Sequence, residues 1–531
     1  MSNLERVSEE IVLQNIGHNT KKRTVAVVVA ENEMSLKHRN LSTIVNAVKL
    51  GVRSTQNNAA VFTVPSICDD ITAGTAASKN LVPMRNLVAD IVESYGSLQS
   101  VDGFVFVANQ PLTIAGMLIG ALRVNKPSLF ISGGYMPSAV YRGNRISFNE
   151  SYLYRGKTFS GELSAFDIEA LTDEVITSFA CPADSYDANS GSVLVEALGL
   201  ALEGNSTVAA NSHKRAVLAR KTGEKIIKVL DAVTPRMIVN EESLTAALSV
   251  DLAMGSSSTS ILNILALAKT VGLKKFNYET ISELAKRVPH YFNLSERTQS
   301  FMDDFALAGG VYGLLMDLVK TAEISMKYAT YANAPMGSLA KAVSLKSEPI
   351  GKRSPLRIVN GGLAEDGAVS FQNEVASFAG KAKVFDSQEE ALDAIVNRSI
   401  TKGDVVVIRN EGPTSCPGMR EVRLPLGLLV GLGLDKDVAL ITDGRIQNIS
   451  RGIAVGNISP ESGKDGSLLH LLMSGDPIAV DFSKGKITVD VPAKDLAKRK
   501  KVADSKKVEA TGCLAKYALT ATSAEQGALS K

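Results

Sequence analysis

Strand and helix patterns alternate at short, regular intervals over residues 24–131, and this order constrains the fold more than any other feature. Residues 24–30 are β-branched and apolar throughout, as in a strand buried on both faces. Because parallel strands require long crossover connections, the alternation predicts βαβ units around a parallel sheet. Further strands are predicted at 59–64, 103–108 and 127–131, and helices at 38–50, 81–95 and 116–124.

The middle of the chain predicts a helical continuation of this α/β domain. Between residues 167 and 319 the apolar residues recur at helical spacing. Residues 329–355 show little periodicity and are predicted to link this domain to the next. The predicted helices lie at 167–179, 191–202, 213–233, 241–254, 260–270 and 278–288.

Beyond residue 356, short apolar runs separated by Gly and Pro turns predict a smaller β-barrel-like domain. The expected organisation is an α/β domain over 1–345, the barrel-like domain over 356–493, and a basic linker and tail over 494–531. The predicted strands lie at 383–385, 404–409, 438–441, 478–481 and 486–491, with one helix at 386–395 capped by Asp386 or Ser387.

The charge balance excludes several classes of partner. Lys and Arg number 58 and Asp and Glu number 55, so the net charge of +3 gives no basis for binding nucleic acid or a membrane surface. The cysteines Cys68, Cys181, Cys416 and Cys513 form neither a disulfide framework nor a zinc-finger pattern. The N-terminus lacks signal-peptide features, and no run of about 18 apolar residues occurs, so a soluble cytoplasmic protein is expected.

Six segments, spread over nearly the whole chain, carry the most specific information. The longest runs from VVIRNEGP at 406–413 to PGMRE at 417–421, and DVALITDGR follows at 437–445. In order and spacing, these segments resemble the dihydroxy-acid dehydratase and phosphogluconate dehydratase family. The others are EALGLALEGN at 196–205, VDLAMG at 250–255, DDFALAGGV at 303–311 and GGLAEDGAV at 361–369.

The resemblance implies the fold of that family, which combines an N-terminal parallel-sheet α/β domain, a helical continuation and a C-terminal β-barrel-like domain, with the active cleft between the domains. It also implies a hydro-lyase that converts vicinal-diol acids to 2-keto acids. In the family an iron–sulfur cluster acts as Lewis acid on the leaving hydroxyl, magnesium steadies the substrate and a serine is the base. A homodimer or homotetramer that takes a small hydroxy acid is the expected assembly.

The positions of the family's three cluster cysteines carry other residues in this chain. Ser35 and Gln110 stand at the first two positions, and the third has no counterpart because the segment 180–189 is shorter. Cys181 corresponds to a position that does not bind the cluster. Because iron–sulfur clusters require thiolates, no iron–sulfur cluster is expected.

The magnesium site of the family is altered as well. Pro111 and Leu112 replace an aspartate and a carbamylated lysine, and neither offers an oxygen ligand. Asp69 and Glu411 remain as candidate ligands for Mg²⁺ or Mn²⁺. The alternative is that Asp69, with the neighbouring Asp70, only caps a loop after the preceding strand.

The family's catalytic base is replaced. Gln447 stands where the serine is expected, and an amide cannot act as a base. Ser450 nearby, and Cys416 in the loop after Glu411, are the candidate catalytic residues. For Cys416 the alternative is an incidental free thiol.

Several polar residues are candidates for binding an acid. Ser257 and Ser258 precede an apolar helix, where backbone N–H groups and hydroxyls suit a carboxylate, although ordinary N-capping explains them equally. Asn189 and Arg451 match polar family residues close to the pocket. His38 also matches a family histidine, but a lone histidine is more often structural.

Three functions are therefore open. The first is a hydro-lyase that acts on a hydroxylated small carboxylic acid without an iron–sulfur cluster, with a divalent cation as candidate cofactor. The second is a non-catalytic relative that binds such an acid or a partner. The third is a non-catalytic subunit that joins a true dehydratase, a catalytic paralog. The intact scaffold motifs favour a retained pocket, whereas the substituted ligands weigh against the family's standard reaction.

Overall fold

The structure is a computed structural model. It describes an N-terminal α/β domain, a helical region packed on it and a C-terminal barrel. Within the described ranges, no helix combines the length and the apolar character needed to cross a membrane. The described residues are 22–39, 41–66, 68–98, 100–141, 143–146, 157–158, 161–294, 300–371, 375–415, 417–446, 452–502 and 510–531.

The N-terminal sheet consists of four parallel strands, β1 (Thr24–Val29), β2 (Asn58–Thr63), β3 (Gly103–Val107) and β4 (Ser128–Ile131). Their order in the sheet is β2-β1-β3-β4. The central strand β1 is buried along its whole length, because its apolar side chains pack on both faces of the sheet. The predicted parallel sheet is therefore confirmed, and each strand bound lies within one residue of the prediction.

The helices that follow these strands are α1 (Leu41–Ser54), α2 (Asp69–Thr72), α3 (Leu81–Gly96) and α4 (Pro111–Val124). Helix α4 begins at Pro111 rather than at residue 116. Its N-cap is Gln110, whose side chain accepts a hydrogen bond from the backbone N of Thr113 at 2.8 Å. Helix α1 begins at Leu41 rather than at residue 38, because Leu36–His38 form a separate 3-10 helix.

Residues 167–319 are mostly helical, as predicted, and the segment 329–355, predicted as a linker, contains one further short helix. Four short strands accompany the helical region: β5 (Tyr135–Met136), β6 (Ala139–Tyr141), β7 (Asn144–Ile146) and β8 (Cys181–Pro182). The helices are α5 (Ala165–Val175), α6 (Tyr186–Ala197), α7 (His213–Val229), α8 (Pro235–Ile238), α9 (Glu241–Ala253), α10 (Ser258–Thr270), α11 (Tyr278–Arg287), α12 (Met302–Ala308), α13 (Gly310–Thr321) and α14 (Met336–Ala340).

Eight strands close into a barrel in the C-terminal domain, which confirms the predicted barrel-like fold. They are β9 (Leu356–Gly361), β10 (Ala364–Phe371), β11 (Ser377–Phe385), β12 (Asp404–Ile408), β13 (Ala439–Thr442), β14 (Ile453–Ser459), β15 (Pro477–Asp481) and β16 (Lys486–Val489). The closed order is β10-β14-β13-β12-β11-β15-β16-β9. Strands β9, β10 and β14 were absent from the prediction.

The C-terminal domain also contains the helices α15 (Gln388–Val396), α16 (Arg423–Gly431), α17 (Leu468–Leu471), α18 (Ala493–Val502) and α19 (Gly512–Thr520). The segment 494–531, expected as a basic linker and tail, thus includes most of α18 and all of α19. Its end packs against the N-terminal domain, where Tyr517 and Ala528 are buried with Leu81 of α3. The end of the chain is therefore part of the folded core.

Candidate functional site

The N-terminal domain and the barrel meet at loops that carry buried charged residues. Arg445, which follows β13, donates a hydrogen bond to Thr259 Oγ1 of α10 at 2.7 Å. Arg420, which follows β12, crosses the same junction and donates to Ser78 Oγ at 3.0 Å. These hydrogen bonds fix both barrel loops against the N-terminal domain.

Three carboxylates converge at this junction, and we call them the acid cluster: Asp69, Asp187 and Glu421. One ligand oxygen from each lies within 4.8 Å of the others. Within the described ranges they are the one set of three side chains placed to share a metal ion. Asp187 and Glu421 are buried, and Asp69 is partly buried.

Local structure places each member of the acid cluster. Asp69 is the first residue of α2. Asp187 lies in the first turn of α6, where the helix dipole favours a negative charge. Glu421 is positioned by the pairing of its chain segment with Arg445, whose backbone carbonyl accepts a hydrogen bond from Val422 N at 2.9 Å. The cluster therefore draws on both domains.

Two cationic side chains contact the acid cluster directly. Lys37 Nζ lies 3.1 Å from Asp69 Oδ1, and Arg423 Nη2 lies 3.1 Å from Asp69 Oδ2. Arg423 Nη2 is also 3.6 Å from Glu421 Oε2 and 4.0 Å from Asp187 Oδ2. The Lys37 and Arg423 side chains are only 3% and 6% exposed, so water screens these ion pairs weakly.

The surroundings shift the pKa values of two cluster carboxyls in opposite directions. Burial alone would raise the pKa of Asp69, but the charges of Lys37 and Arg423 outweigh burial and hold that pKa well below its usual value. Burial raises the pKa of Glu421, and the like charge of Asp187 adds to the rise, whereas Arg423 opposes it. Asp69 is therefore the fixed anion of the cluster, and Glu421 is better suited to hold a proton.

Among the acid cluster and Arg445, three buried polar atoms have no hydrogen-bond partner within the part of the chain that the structure describes: Asp187 Oδ1, Glu421 Oε1 and Arg445 Nη2. Arg445 is close enough to both Asp69 and Glu421 to interact with them electrostatically. A buried polar atom without a partner costs about 1–3 kcal/mol. One donor and two acceptors are thus available to a ligand.

A further carboxyl, Asp251 of α9, interacts with Asp187 and accepts a hydrogen bond from Tyr186 Oη at 2.7 Å. Burial raises the pKa of Asp251 to about 6, although hydrogen bonds from Ser256, Ser260 and Tyr186 oppose the rise. Because the folded pKa exceeds the unfolded value, the stability that this group contributes is complete below about pH 4 and is lost as the pH rises through about 6.

We therefore expect the contribution of Asp251 to the free energy of unfolding to fall between about pH 4 and about pH 7, by at most about 3 kcal/mol. Asp251→Asn removes the titrating group and should flatten this dependence in urea unfolding at several pH values. Asp173→Asn, which alters an exposed carboxyl, is the matched control. Identical pH slopes for wild type and Asp251→Asn would contradict the expectation.

Glu411, the second candidate metal ligand from the sequence, is not a member of the acid cluster. Its Oε1 atom lies 3.3 Å from Arg420 Nη1 and accepts a hydrogen bond from Gln388 N at 2.9 Å. Burial raises the pKa of Glu411 to about 7, outweighing the opposite effect of Arg420. Of the two predicted ligands, the structure thus places Asp69, but not Glu411, in the acid cluster.

The predicted substrate-binding serines have partners within the protein. Ser257 is the N-cap of α10 and accepts a hydrogen bond from Ser260 N at 2.9 Å. Ser258 Oγ accepts a hydrogen bond from Ile446 N at 3.0 Å across the domain junction. Both hydroxyls thus support the fold next to the acid cluster.

Asn189 and His38 are likewise engaged with the backbone. Asn189 Nδ2 donates a hydrogen bond to the carbonyl of Pro182 at 2.7 Å. His38 is fully buried, with Nδ1 3.1 Å from the carbonyl oxygen of Ala30. These contacts fit the structural role that the sequence left open for His38.

The candidate catalytic residues Cys416 and Ser450, and the candidate substrate-binding residue Arg451, lie outside the described residues. So does Gln447, which stands at the family's serine position. Their roles stay predictions.

Ser35 and Gln110, which the resemblance places at two of the family's cluster-cysteine positions, do not offer the ligands of an iron–sulfur cluster. Ser35 is buried, and Gln110 caps α4 through its side-chain oxygen. The thiols of Cys68 and Cys181 each donate to a protein oxygen, at 3.5 Å and 3.6 Å respectively. A hydroxyl and an amide do not replace the thiolates that bind iron in such clusters.

A separate cavity of about 500 Å³ opens beside the first turns of α1 and α7. Its lining includes Arg39, Asn109, His213 and Arg215, and none of its lining residues belongs to the acid cluster. The candidate site is assigned to the acid cluster, where buried charges and the sequence motifs coincide.

Five charged residues at the site were missed by sequence reasoning. Glu421 and Arg445 end the quoted segments PGMRE and DVALITDGR, so the motif ends were an available signal. Lys37 and Arg423 gave no signal, because their importance arises from contacts with the distant Asp69. The missed residues are Lys37, Asp187, Glu421, Arg423 and Arg445.

The fold thus joins a parallel α/β domain to a closed barrel, with a buried acid cluster at the junction. Residues 22–338 match the family described as dihydroxy-acid/6-phosphogluconate dehydratase N-terminal, and residues 341–528 match its C-terminal counterpart. The chain therefore belongs to the dihydroxy-acid/6-phosphogluconate dehydratase family.

Individual relatives resemble the chain along nearly its whole length. A dihydroxy-acid dehydratase of Carboxydothermus hydrogenoformans is 36% identical, with 99% of this chain and 98% of that protein covered. One of Pyrococcus abyssi is 33% identical with the same coverage. One of Ruminiclostridium cellulolyticum is 33% identical, with 96% of this chain and 94% of that protein covered. The likeness thus spans both domains.

Proposed function

We propose that the acid cluster binds a small hydroxylated carboxylic acid and that the chain dehydrates this acid without an iron–sulfur cluster. The observation that carries the proposal is the set of three unpaired buried atoms, Asp187 Oδ1, Glu421 Oε1 and Arg445 Nη2. One cationic donor suits a carboxylate, and two carboxylate acceptors suit hydroxyl groups. A hydroxylated acid offers these complementary groups in one small molecule.

These three atoms destabilise the ligand-free protein while they are buried and unpaired. Each costs about 1–3 kcal/mol while buried, and a ligand that satisfies it removes that cost. A hydrogen bond between guanidinium and carboxylate is among the stronger kinds, because both partners are charged. Arg445 is therefore the proposed anchor for the acid group, and Asp187 and Glu421 are the proposed acceptors for the hydroxyls.

Loss of water from a hydroxy acid needs one group to protonate the leaving hydroxyl and another to take a proton from the adjacent carbon. Glu421 is the proposed proton donor, since burial favours its protonated form. Asp187 has an oxygen within 4.8 Å of a Glu421 oxygen and is the proposed acceptor of the carbon-bound proton. Asp69 is held by Lys37 and Arg423 and keeps the charges of the site in place.

A non-catalytic binding protein is the second candidate, and a specific observation favours it. Ser35 and Gln110 stand at two of the positions where the resemblance implies cluster ligands, so the usual Lewis acid has no thiolates there. The same three unpaired atoms would then hold the acid without converting it. Measurement of binding and of turnover on one protein sample separates the two candidates.

The test uses a 2,3-dihydroxy carboxylic acid, with calorimetry for binding and hydrazone formation for the 2-keto acid product. Wild type is expected to bind the acid and to form product with no detectable bound iron. Glu421→Gln is expected to abolish product and to weaken binding about tenfold, because it replaces the proposed proton donor, a carboxyl group that also contacts the ligand, with an amide. Glu224→Gln on the α7 surface is the matched control and should behave as wild type.

Two outcomes would contradict the proposal in different ways. Binding without product in wild type would favour the non-catalytic candidate. Visible absorbance and activity that appear only after anaerobic reconstitution with iron and sulfide would refute the cluster-free function.

A further inference from the structure

The acid cluster is surrounded by as many cations as it has carboxylates. Its three carboxylates face Lys37 and Arg423 at ion-pair distance, and Arg445 lies near enough to interact electrostatically with Asp69. All three cationic side chains are buried. The ionised cluster and its cations therefore balance in charge within the protein.

Both carboxylate oxygens of Asp69 contact a cationic side chain. One carboxylate oxygen faces Lys37 Nζ at 3.1 Å, and the other faces Arg423 Nη2 at 3.1 Å. Arg423 Nη2 also lies within 4.0 Å of an oxygen of Asp187. The Arg423 guanidinium thus occupies the region between carboxylates that a shared metal ion would need.

The magnesium ion that the family resemblance implies does not fit these surroundings. Mg²⁺ and Mn²⁺ bind through carboxylate oxygens at short range and carry two positive charges. A dication beside a buried ammonium and a buried guanidinium would be repelled by both, and it would have to displace them from Asp69. The chain also lacks oxygen ligands at Pro111 and Leu112, which lie at the start of α4.

We propose that Lys37 and Arg423 take the place of a divalent cation in the acid cluster, so that the site is assembled and works without metal. Lys37 and Arg423 offset two of the three carboxylate charges, and Arg445, the third cation, keeps an unpaired Nη2 for the carboxylate of the ligand. This last step rests on the proposed function, whereas the exchange of metal for side-chain cations does not.

The test is a Mn²⁺ titration without any acid ligand, followed by electron paramagnetic resonance and by thermal unfolding. Wild type should show no Mn²⁺ site that depends on Asp187 and no Mn²⁺-dependent rise in Tm. The double variant Lys37→Met/Arg423→Leu should bind one Mn²⁺ per chain and unfold at higher temperature when Mn²⁺ is present. Adding Asp187→Asn to the double variant should remove this binding.

A single variant and a control complete the titration. Arg423→Leu alone removes one of the two cations and should bind Mn²⁺ at least about tenfold more tightly than wild type, so it serves if the double variant does not fold. Lys402→Met removes a lysine that is 76% exposed and is the matched control, with no change expected.

Two results would overturn the inference. The first is one Mn²⁺ bound per wild-type chain and lost in Asp187→Asn, because the resident cations would then not exclude the metal. The second is no gain of Mn²⁺ binding in either cation-deleted variant, because Lys37 and Arg423 would then not fill its place. Since no acid is present, either result leaves the proposed function to its own test.

Discussion

Replacement of Arg420 by methionine is expected to lower the free energy of unfolding by about 3–5 kcal/mol, the usual cost of removing one partner of a buried ion pair. The Arg420 side chain has no exposed surface, and its partner Glu411 is 1% exposed. Without the guanidinium, the Glu411 carboxylate would be buried with no cation at ion-pair distance among the described residues. The measurement is urea unfolding followed by circular dichroism, because the chain has no tryptophan.

The destabilisation should also depend on pH. Burial already raises the pKa of Glu411 to about 7 while Arg420 is present, and removal of that cation would raise it further. Below the raised value the carboxyl takes up a proton and avoids the charge, whereas above it the full cost of a buried anion applies. The loss of stability in Arg420→Met should therefore be larger at about pH 8 than at about pH 6.

A double variant tests whether the charge of Glu411 causes the loss. Arg420→Met/Glu411→Gln should recover part of the stability and lose this pH dependence, because no unpaired anion remains buried. Glu389, which also loses its ion pair with Arg420, is 48% exposed. Lys402→Met breaks an exposed pair with Asp437 and should change stability little. If the double variant is no more stable than Arg420→Met, the hydrogen bond from Arg420 to Ser78 across the domain junction is the stronger cause.

The parallel sheet was predictable because its strands are buried on both faces and read as continuous apolar runs. The first residues of helices α4 and α6 were not predictable from apolar periodicity, because buried polar side chains define where these helices begin. Gln110 caps α4 and Ser185 caps α6, ahead of the residues where helical periodicity becomes visible. Caps of this kind depend on a single hydrogen bond and leave no apolar pattern.

Three barrel strands escaped prediction for a related reason. Strand β10 changes register between Gly367 and Val369, which interrupts the alternation that marks a strand. Strands β9 and β14 both pair with β10 in the closed barrel. Strands β9 and β14 are recognised by hydrogen bonds to partner strands that are distant in sequence. The local amino-acid composition does not show which segments will pair.

The candidate site was predictable only at its motif residues. Asp69 was selected because the resemblance implies that it remains from the family's magnesium site, but its carboxylate partners proved to be Asp187 and Glu421 rather than Glu411. The charge state of a buried carboxylate depends on the side chains that contact it. Arg423 lies near three carboxylates from different parts of the chain. The sequence separates these residues, so only the fold shows that two cations accompany the acids.

Replacement of Arg85 by methionine is expected to detach the end of the chain and to lower the free energy of unfolding by about 2–4 kcal/mol. Arg85 Nη2 donates hydrogen bonds to the carbonyls of Gly527 at 2.6 Å and Ala528 at 2.7 Å, and Nη1 donates to Asn263 Oδ1 at 3.1 Å. Methionine avoids burying a charge, but it leaves the Gly527 carbonyl and Asn263 Oδ1 without this donor, whereas the Ala528 carbonyl still accepts from Tyr517 Oη at 3.0 Å. Hydrogen exchange of residues 521–531 should rise in this variant.

A second variant, Gly527→Ala, disturbs the packing of the chain end at the residue that Arg85 contacts. Gly527 has φ +83°, and a Cβ there would lie 2.4 Å from the backbone N of Ala266 in α10, so Gly527→Ala should also free residues 521–531. Gly512→Ala is the matched control: its φ is +58°, but no atom lies within 4 Å of the added carbon, so it tests backbone strain without the clash. If Arg85→Met and Gly527→Ala both leave the exchange of residues 521–531 unchanged, burial of Tyr517 and Leu529 holds the chain end, and the Arg85 hydrogen bonds contribute little.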